Sequence, residues 1–156
     1  MTKSDNAPRG LGVKHASLVR VETGSWGQVQ PLASAIRFEV FVHEQRVPIE
    51  EELDAADAQC VHALAFNASG EVIGTGRLLP DGHVGRMAVL KANRGQGVGA
   101  AILLRLIEQA RAQGFVDVVL SAQTHAKGFY AKYGFVEEGD EYLDANIPHI
   151  QMRKAL

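Results

Sequence analysis

The chain contains a single cysteine, Cys60, among its 156 residues. One thiol excludes a disulfide within the chain and a zinc site built from cysteines, and it favours the reducing cytoplasm as the location. No apolar run approaches the roughly 20 residues of a membrane-spanning helix, so no membrane is expected as a partner. Residues 1–14 also lack the apolar core of a secretory signal.

An excess of positive charge is missing as well. Sixteen Lys and Arg residues are opposed by 18 Asp and Glu residues, which gives a formal net charge of -2. A nucleic-acid-binding surface needs a clear basic excess, so nucleic acid is not an expected partner. The length and the 46% apolar content are ordinary for one globular domain. We expect a flexible tail over residues 1–14, a single domain over residues 15–156, and no metal.

Ten of the acidic residues lie in two short stretches. Charge runs of this kind usually form solvated loops, but they could also form an anionic rim that attracts a cationic substrate. The first stretch comprises Glu50, Glu51, Glu52, Asp54 and Asp57, and the second comprises Glu137, Glu138, Asp140, Glu141 and Asp144.

Hydrophobic periodicity predicts an α/β (α+β) fold with the element order β-α-β-β-β-α-β-α-β-β. Alternating or continuous apolar runs predict strands over residues 17–22, 61–66, 71–79, 83–90, 115–120, 135–136 and 149–153. Apolar residues at helical spacing predict helices from Pro31 to about His43, from Val98 to the glycine at 114, and over residues 126–133. The first acidic stretch is predicted to be irregular, and the second a loop between the last two strands.

The most informative segment is the loop Arg94-Gly95-Gln96-Gly97-Val98-Gly99, between a predicted strand and a predicted helix. Glycines let the backbone approach a ligand, and a helix N-terminus offers unpaired N–H groups to an anion. The segment is not a P-loop, because no Lys follows Gly99. Gly95-x-Gly97-x-x-Ala100, with Asp117 about twenty residues later, has the form of a dinucleotide fingerprint. However, Asp117 lies within a predicted strand and the loop follows a meander, which makes dinucleotide binding the weaker alternative.

Two motifs resemble signatures of the GNAT N-acetyltransferases. Arg94-x-x-Gly97-x-Gly99, after a strand ending in Met87-Ala88-Val89, resembles the motif that binds the pyrophosphate of acyl-CoA. Ala126-x-x-Phe129-Tyr130-x-Lys132-x-Gly134-Phe135 resembles the second signature of the family. Three further segments resemble the ElaA-like subgroup of the family: the run 37–45, Asp54-x-x-Asp57 and Ile147-Pro148-His149-Ile150. The resemblance covers about residues 16–156 and implies the GNAT fold, a central mixed, mostly antiparallel sheet of six to seven strands flanked by about four helices.

The resemblance implies acetyl-CoA as the donor and direct transfer of the acetyl group to a primary amine on a small molecule or peptide. Tyr130 corresponds to the general acid that protonates the leaving thiolate. The N–H of Val89 or its neighbour would stabilise negative charge on the acyl oxygen. Gln123 stands where many members carry Asn. The implied donor site comprises Met87, Ala88, Val89, Arg94, Gly95, Gln96, Gly97, Val98, Gly99, Gln123, Phe129 and Tyr130.

Several assignments stay open at this point. Glu44 and His149 are the candidates for the general base, with His62 behind them, and the run 37–45 and the loop before His149 are expected to shape the acceptor site. Arg37 and Arg86 could bind an acceptor carboxylate, and Lys127 and Lys132 either contact CoA phosphates or are solvated. Covalent catalysis with Cys60 as the nucleophile is a rival to direct transfer, but no sequence motif around Cys60 supports it. A non-catalytic acyl-CoA-binding module is the alternative function, and a homodimer is one possibility for the assembly.

Overall fold

A computed structural model of the protein describes residues 19–156, so the predicted tail over residues 1–14 lies outside the described residues. The strands are β1 (Arg20–Gly24), β2 (Val61–Phe66), β3 (Val72–Leu78), β4 (His83–Val89), β5 (Asp117–Gln123), β6 (Val136–Asp144) and β7 (Ile147–Ala155). The α-helices are α1 (Trp26–Arg37), α2 (Ile49–Glu52), α3 (Val98–Ala112) and α4 (Lys127–Ala131). A π-helical segment, Phe38–Glu44, continues α1, and a 3₁₀ segment, Ala55–Gln59, follows α2.

The seven strands form one mixed sheet in the order β1-β2-β3-β4-β5-β7-β6. All neighbouring strands are antiparallel except β4 and β5. These two strands are joined through α3, and a helical crossover is the usual connection between parallel neighbours. The predicted mixed, mostly antiparallel sheet with about four helices is therefore confirmed for the part of the chain that the structure describes.

Helix α3 packs on the sheet through an apolar stripe that includes Ile102, Leu103 and Leu106, all fully buried. Two glycines of β3 make this close packing possible. A Cβ atom at Gly74 or Gly76 would lie 2.9 Å from a side-chain carbon of Ile102. The packing of α3 holds the loop that precedes it against the end of β4.

Strands β4 and β5 pair over only two positions, His83 with Val119 and Val84 with Leu120. Beyond these pairs the strands diverge, so the second half of β4 has no strand partner on that edge. On its other edge, β4 is irregular opposite β3, where the register shifts between Thr75 and Arg77. This gap in the sheet positions the candidate site.

Three predictions of local structure were wrong. Helix α1 begins at Trp26, because Ser25 is its N-cap and the Ser25 amide donates to Gln28 Oε1 at 2.8 Å; Pro31 lies inside the helix. The first acidic stretch forms α2 and the 3₁₀ segment. The second forms most of β6, which pairs with β7 on one side only. An edge strand exposes its other side to solvent, so it accepts charged residues.

Candidate active site

A cleft with a volume of about 730 Å³ opens where β4 and β5 diverge. The predicted base Glu44 lies on its wall, at the end of the π-helical segment. Of the residues predicted for the donor site, Gln96 is the one that does not line the cleft. The others all do: Met87, Ala88, Val89, Arg94, Gly95, Gly97, Val98, Gly99, Gln123, Phe129 and Tyr130.

The backbone of Val89 faces this cleft. The amide of the next residue, Leu90, donates to the Ile73 carbonyl of β3 at 3.0 Å, and Val89 lies opposite Gly74. Because backbone groups alternate between the two edges of a strand, the N–H and C=O of Val89 point away from β3. Its carbonyl accepts a hydrogen bond from Arg94 Nε at 3.0 Å. The N–H of Val89 is thus available on the open edge of β4.

The glycine loop closes one end of the cleft. Gly95 and Gly97 have φ angles of +79° and +82°, a conformation that side-chain-bearing residues rarely adopt. Gly97 is the N-cap of α3 and has no side chain to satisfy the first amides of the helix. These amides have no partner within the helix, and the helix dipole adds partial positive charge there. The loop therefore presents an anion site made of backbone.

The guanidinium of Arg94 binds Glu44 across the mouth of the cleft. Its Nη1 and Nη2 donate to Glu44 Oε2 and Oε1 at 2.6 and 2.7 Å. The hydrogen bond from Arg94 is the largest cause that lowers the pKa of Glu44. Because Glu44 occupies both Nη atoms of Arg94, an anion at this loop would be bound by the backbone amides rather than by the Arg94 side chain.

Tyr130 lies on α4 and its ring packs among Phe129 and Phe135, with ring centroids 5.0 and 6.0 Å away. Burial raises the pKa of Tyr130 to about 12. The phenol is therefore protonated at neutral pH and can serve as a proton donor but not as a base.

A smaller pocket of about 120 Å³ adjoins the cleft. Gln45 and Gln123 line both spaces, and their side-chain amides pair at the junction, with Gln123 Nε2 3.1 Å from Gln45 Oε1. The pocket contains parts of the two segments predicted to shape the acceptor site. Its other lining residues are Phe41, Val47, Glu51, Glu52, Arg86, Asp144, Ala145, Ile147 and His149.

His149, the second candidate base, lies in this smaller pocket. Its Nδ1 is 2.6 Å from the Ile147 carbonyl, which can only accept a hydrogen bond. The proton of the neutral ring therefore resides on Nδ1, and Nε2 is left as an acceptor. The ring stacks on Tyr142 at a centroid distance of 6.0 Å.

Below the smaller pocket lies a buried network of ion pairs that the sequence analysis missed. Arg37 donates to Glu52 Oε2 at 2.7 Å and to both oxygens of Asp57 at 2.9 Å. Arg77 donates to Asp57 Oδ1 and Asp54 Oδ2, each at 2.7 Å. Neither interpretation of the first acidic stretch holds for these three acids, because their carboxylates pair within the fold. No sequence spacing indicates these partners, which come from α1, α2, the 3₁₀ segment and β3.

The network also corrects two site predictions. Arg37 is 2% exposed and its guanidinium is bound by acids, so it cannot meet an acceptor carboxylate. His62 is 1% exposed, and its Nε2 lies 2.9 Å from the Asp57 carbonyl and its ring 4.8 Å from that of Trp26. It lines neither the cleft nor the smaller pocket, so it is not a base for this site.

The remaining candidates from the sequence are Cys60, Lys127 and Lys132, and of these only Lys132 lines the cleft. The Cys60 thiol is buried, which raises its pKa, and it contacts the Ala56 carbonyl at 3.3 Å. A buried thiol with a raised pKa is a poor nucleophile. Lys127 pairs with Glu137 at 3.6 Å, whereas Lys132 lines the cleft.

The comparisons with known proteins agree with this architecture. A family model described as an acetyltransferase (GNAT) domain matches residues 24–156. The Bacillus subtilis (strain 168) protein YjcF, named an uncharacterized N-acetyltransferase, is 42% identical over 124 residues, which is 76% of this chain and 87% of YjcF.

Solved structures are similar too. An acyl-CoA N-acyltransferase from Pseudomonas aeruginosa is 32% identical with a TM-score of 0.78, over 88% of this chain and 99% of that protein. Escherichia coli ElaA is 26% identical with a TM-score of 0.77, over 87% of this chain and 99% of ElaA. With the family model spanning most of the chain and the predicted motifs at the cleft, the chain belongs to the GNAT acetyltransferase family.

Proposed function

We propose that the protein is an acetyl-CoA-dependent N-acetyltransferase that transfers the acetyl group directly to a primary amine of a small molecule or peptide. The observation that carries the proposal is the cleft between β4 and β5. It joins an open strand edge, an anion site of backbone amides and the half-buried phenol of Tyr130. These are the groups needed to hold an extended chain, a pyrophosphate and a leaving thiolate.

The residues of the chain fit such a donor. The amides from Gly97 onward are positioned for phosphate oxygens, and the unpaired edge at Met87 and Val89 can hydrogen-bond an extended pantetheine arm as an added strand would. Acetyl-CoA, when bound, supplies the thioester and the leaving thiolate. The N–H of Val89 is the donor that would stabilise negative charge on the acyl oxygen.

Tyr130 is the proposed general acid. Its raised pKa keeps the proton on the phenol at neutral pH, so the hydroxyl is available to hydrogen-bond the sulfur and to donate its proton as the thiolate leaves. The adjacent ring of Phe129, 5.0 Å from that of Tyr130, has its Cζ 3.7 Å from a Cβ built on Gly99, which supports a role for Tyr130 near the glycine loop.

His149 is the base we propose to deprotonate the acceptor amine, directly or through water. Its ring lines the smaller pocket, and the tautomer with the proton on Nδ1 leaves Nε2 as an acceptor for a proton of the amine. Glu44 is the weaker of the two candidates because its carboxylate is bound by Arg94, which lowers its pKa and its affinity for a proton.

Thiol release from acetyl-CoA in the presence of a library of primary amines tests the proposal. We expect release that depends on the amine, with a product heavier than the amine by one acetyl group. Acetyl-CoA without an amine is the control for hydrolysis. Binding of acetyl-CoA without turnover of any amine would contradict the proposal and favour the non-catalytic acyl-CoA-binding module.

A further inference from the structure

Arg86 occupies a strained position beside the smaller pocket. It lies in the irregular part of β4 with a φ of +48°, in the left-handed region that residues with a Cβ rarely adopt. Backbone strain of this kind is concentrated at functional sites. The side chain lines the smaller pocket, between the β4 edge and the π-helical segment.

The guanidinium of Arg86 is only partly satisfied by the residues that the structure describes. Its Nη2 makes long hydrogen bonds to the carbonyls of Glu51 and Glu52, at 3.4 and 3.3 Å. Its Nε is buried and has no hydrogen-bond partner within residues 19–156. Glu52 Oε2 and Asp54 Oδ2 are 3.6 and 3.7 Å away, beyond hydrogen-bond distance.

The nearby carboxylates are held by other cations. Glu52 Oε2 lies 2.6 Å from Arg37, and Asp54 Oδ2 lies 2.7 Å from Arg77. Burial, followed by repulsion from Arg77 and Arg37, lowers the pKa of Arg86. An additional anion in the pocket would therefore meet in Arg86 a cation whose two carboxylate partners lie 3.6 and 3.7 Å away and are shared with Arg37 and Arg77.

We propose that Arg86 binds a carboxylate of the acceptor, so that the acceptor is an amine that also carries a carboxylate, as an amino acid does. This inference rests on the proposed function and names its substrate class. The pocket has room for a small molecule, about 120 Å³, and it shares the pair Gln45–Gln123 with the wall of the cleft. An acceptor held at one end by Arg86 can direct its amine toward His149 and the cleft.

The structure separates Arg86 from the alternatives. Arg37 carries the same charge but is enclosed by Glu52 and Asp57. Glu51 and Asp144 are exposed residues of the same pocket. If these carboxylates selected the acceptor, they would bind a second ammonium group and the preferred acceptor would be a diamine. Arg86 is the more buried partner, with its side chain 28% exposed, and a charged hydrogen bond is stronger away from water.

Paired substrates test the inference. Each common L-amino acid, β-alanine and γ-aminobutyrate is compared with its own amide, and 1,4-diaminobutane is included as a dication. We expect at least one acid to exceed its amide by about tenfold or more in kcat/KM, the effect of a charge-assisted hydrogen bond. The amide has the less basic amine and thus the larger fraction of neutral amine at pH 7, so a preference for the acid cannot come from amine reactivity.

Variants of Arg86 locate the preference. Arg86→Gln should raise KM for the acid and bring the acid-to-amide ratio close to one, with KM for acetyl-CoA unchanged. Arg86→Lys keeps the charge without the planar fork and should give an intermediate ratio. Arg111→Gln, which removes an exposed arginine at the far end of α3, is the matched control and should keep the wild-type ratio.

The outcomes are distinct. Amides or the diamine used as well as the acids would overturn this inference and leave the proposed function standing. Thiol release with none of the amines would overturn both. The acid-to-amide ratio of kcat/KM is measured on the wild-type protein, so it tests the substrate class even if Arg86→Gln fails to fold. If Arg86→Gln folds and keeps the wild-type ratio, the inference is also overturned.

Discussion

Tyr130 and Gly99 are the two residues at which chemistry and packing can be separated by one substitution. Both line the cleft, and each can lose or gain a small group while the surrounding packing changes little. Gly97 is less suitable, because its φ of +82° strains any side chain and a loss of binding there would be confounded by a loss of folding.

Replacement of Tyr130 by Phe removes one hydroxyl and keeps the ring. We expect kcat to fall by about 10²–10⁴-fold, the usual contribution of a general acid, with acetyl-CoA affinity close to that of the wild type. Steady-state kinetics with one amine and a melting curve check this. Tyr133→Phe, in the turn after α4, is the control; activity of Tyr130→Phe within about threefold of the control would remove Tyr130 from the mechanism.

Replacement of Gly99 by Ala tests whether the loop approaches a ligand. A Cβ at Gly99 would make ordinary contacts with Phe129 and Val89, at 3.7 and 3.9 Å, and alanine favours a helix by about 1 kcal/mol over glycine. We therefore expect equal or higher stability but about tenfold weaker acetyl-CoA binding. Gly128→Ala in α4, where a Cβ meets nothing within 4 Å, gains the same helix preference and should leave acetyl-CoA binding unchanged. Wild-type affinity in Gly99→Ala would show that the loop needs no glycine there.

At the scale of the elements, the buried ion pairs attach α1, α2 and the 3₁₀ segment to the sheet. Asp57 is the centre, since its carboxylate accepts hydrogen bonds from Arg37 of α1 and Arg77 of β3. Asp57, Cys60 and His62 also bring possible metal-ligand atoms within 4.8 Å of one another. Both oxygens of Asp57 are already bound by guanidinium groups, so the carboxylate serves the two arginines.

Replacement of Asp57 by Asn should therefore destabilise the fold. Two buried guanidinium groups would lose their common counter-charge, and breaking a buried pair in this way costs about 3–5 kcal/mol. Urea unfolding measures the change. Asp140→Asn, at an exposed position of β6, is the control and should stay within about 0.5 kcal/mol of the wild type.

The same carboxylate predicts a dependence of stability on pH. Burial alone would raise the pKa of Asp57, but hydrogen bonds from Arg37 and Arg77 outweigh it and hold the pKa below its ordinary value of 3.8. Below pH 3.8 the unfolded chain therefore binds more protons than the folded one, and stability is lost as the pH falls toward the folded-state pKa. The difference in unfolding free energy between pH 7 and pH 3 should be smaller in Asp57→Asn; an equal difference would contradict this assignment.

At the scale of the whole molecule, the gap between β4 and β5 divides the sheet into two parts that meet at two residue pairs. A ligand in the cleft would contact both parts. Among the described residues no helix is long and apolar enough to cross a membrane. Residence in the cytoplasm and assembly as a homodimer stay predictions.

Binding of acetyl-CoA should stabilise the whole fold. At a concentration of about 100 times Kd the stabilisation is about 2.7 kcal/mol, and for a chain of this size each kcal/mol raises Tm by about 2–4 °C. We expect a rise of roughly 5–10 °C in a thermal melt. NAD at the same concentration is the control. A rise with NAD and none with acetyl-CoA would favour the dinucleotide alternative and contradict the proposed donor.

The amino-acid sequence by itself determined most of the strands, the helix from Val98 and the glycine loop. Apolar spacing predicted the sheet and the helix from Val98. The glycines of the loop before this helix predicted an unusual backbone, and Gly95 and Gly97 do have positive φ angles. These features depend on neighbours within a few residues, and local preference is what a sequence pattern records.

Only the tertiary structure decided which charged side chains are enclosed by the fold and which line a pocket. Arg37 and Arg86 looked equivalent along the chain, yet Arg37 is enclosed by acids 15 and 20 residues away while Arg86 lines a pocket. The partner of a charged side chain is set by how helices and strands pack, and many pairings are compatible with one spacing. Burial then decides the energetics, because a charge removed from water must find its counter-charge wherever the fold has brought one.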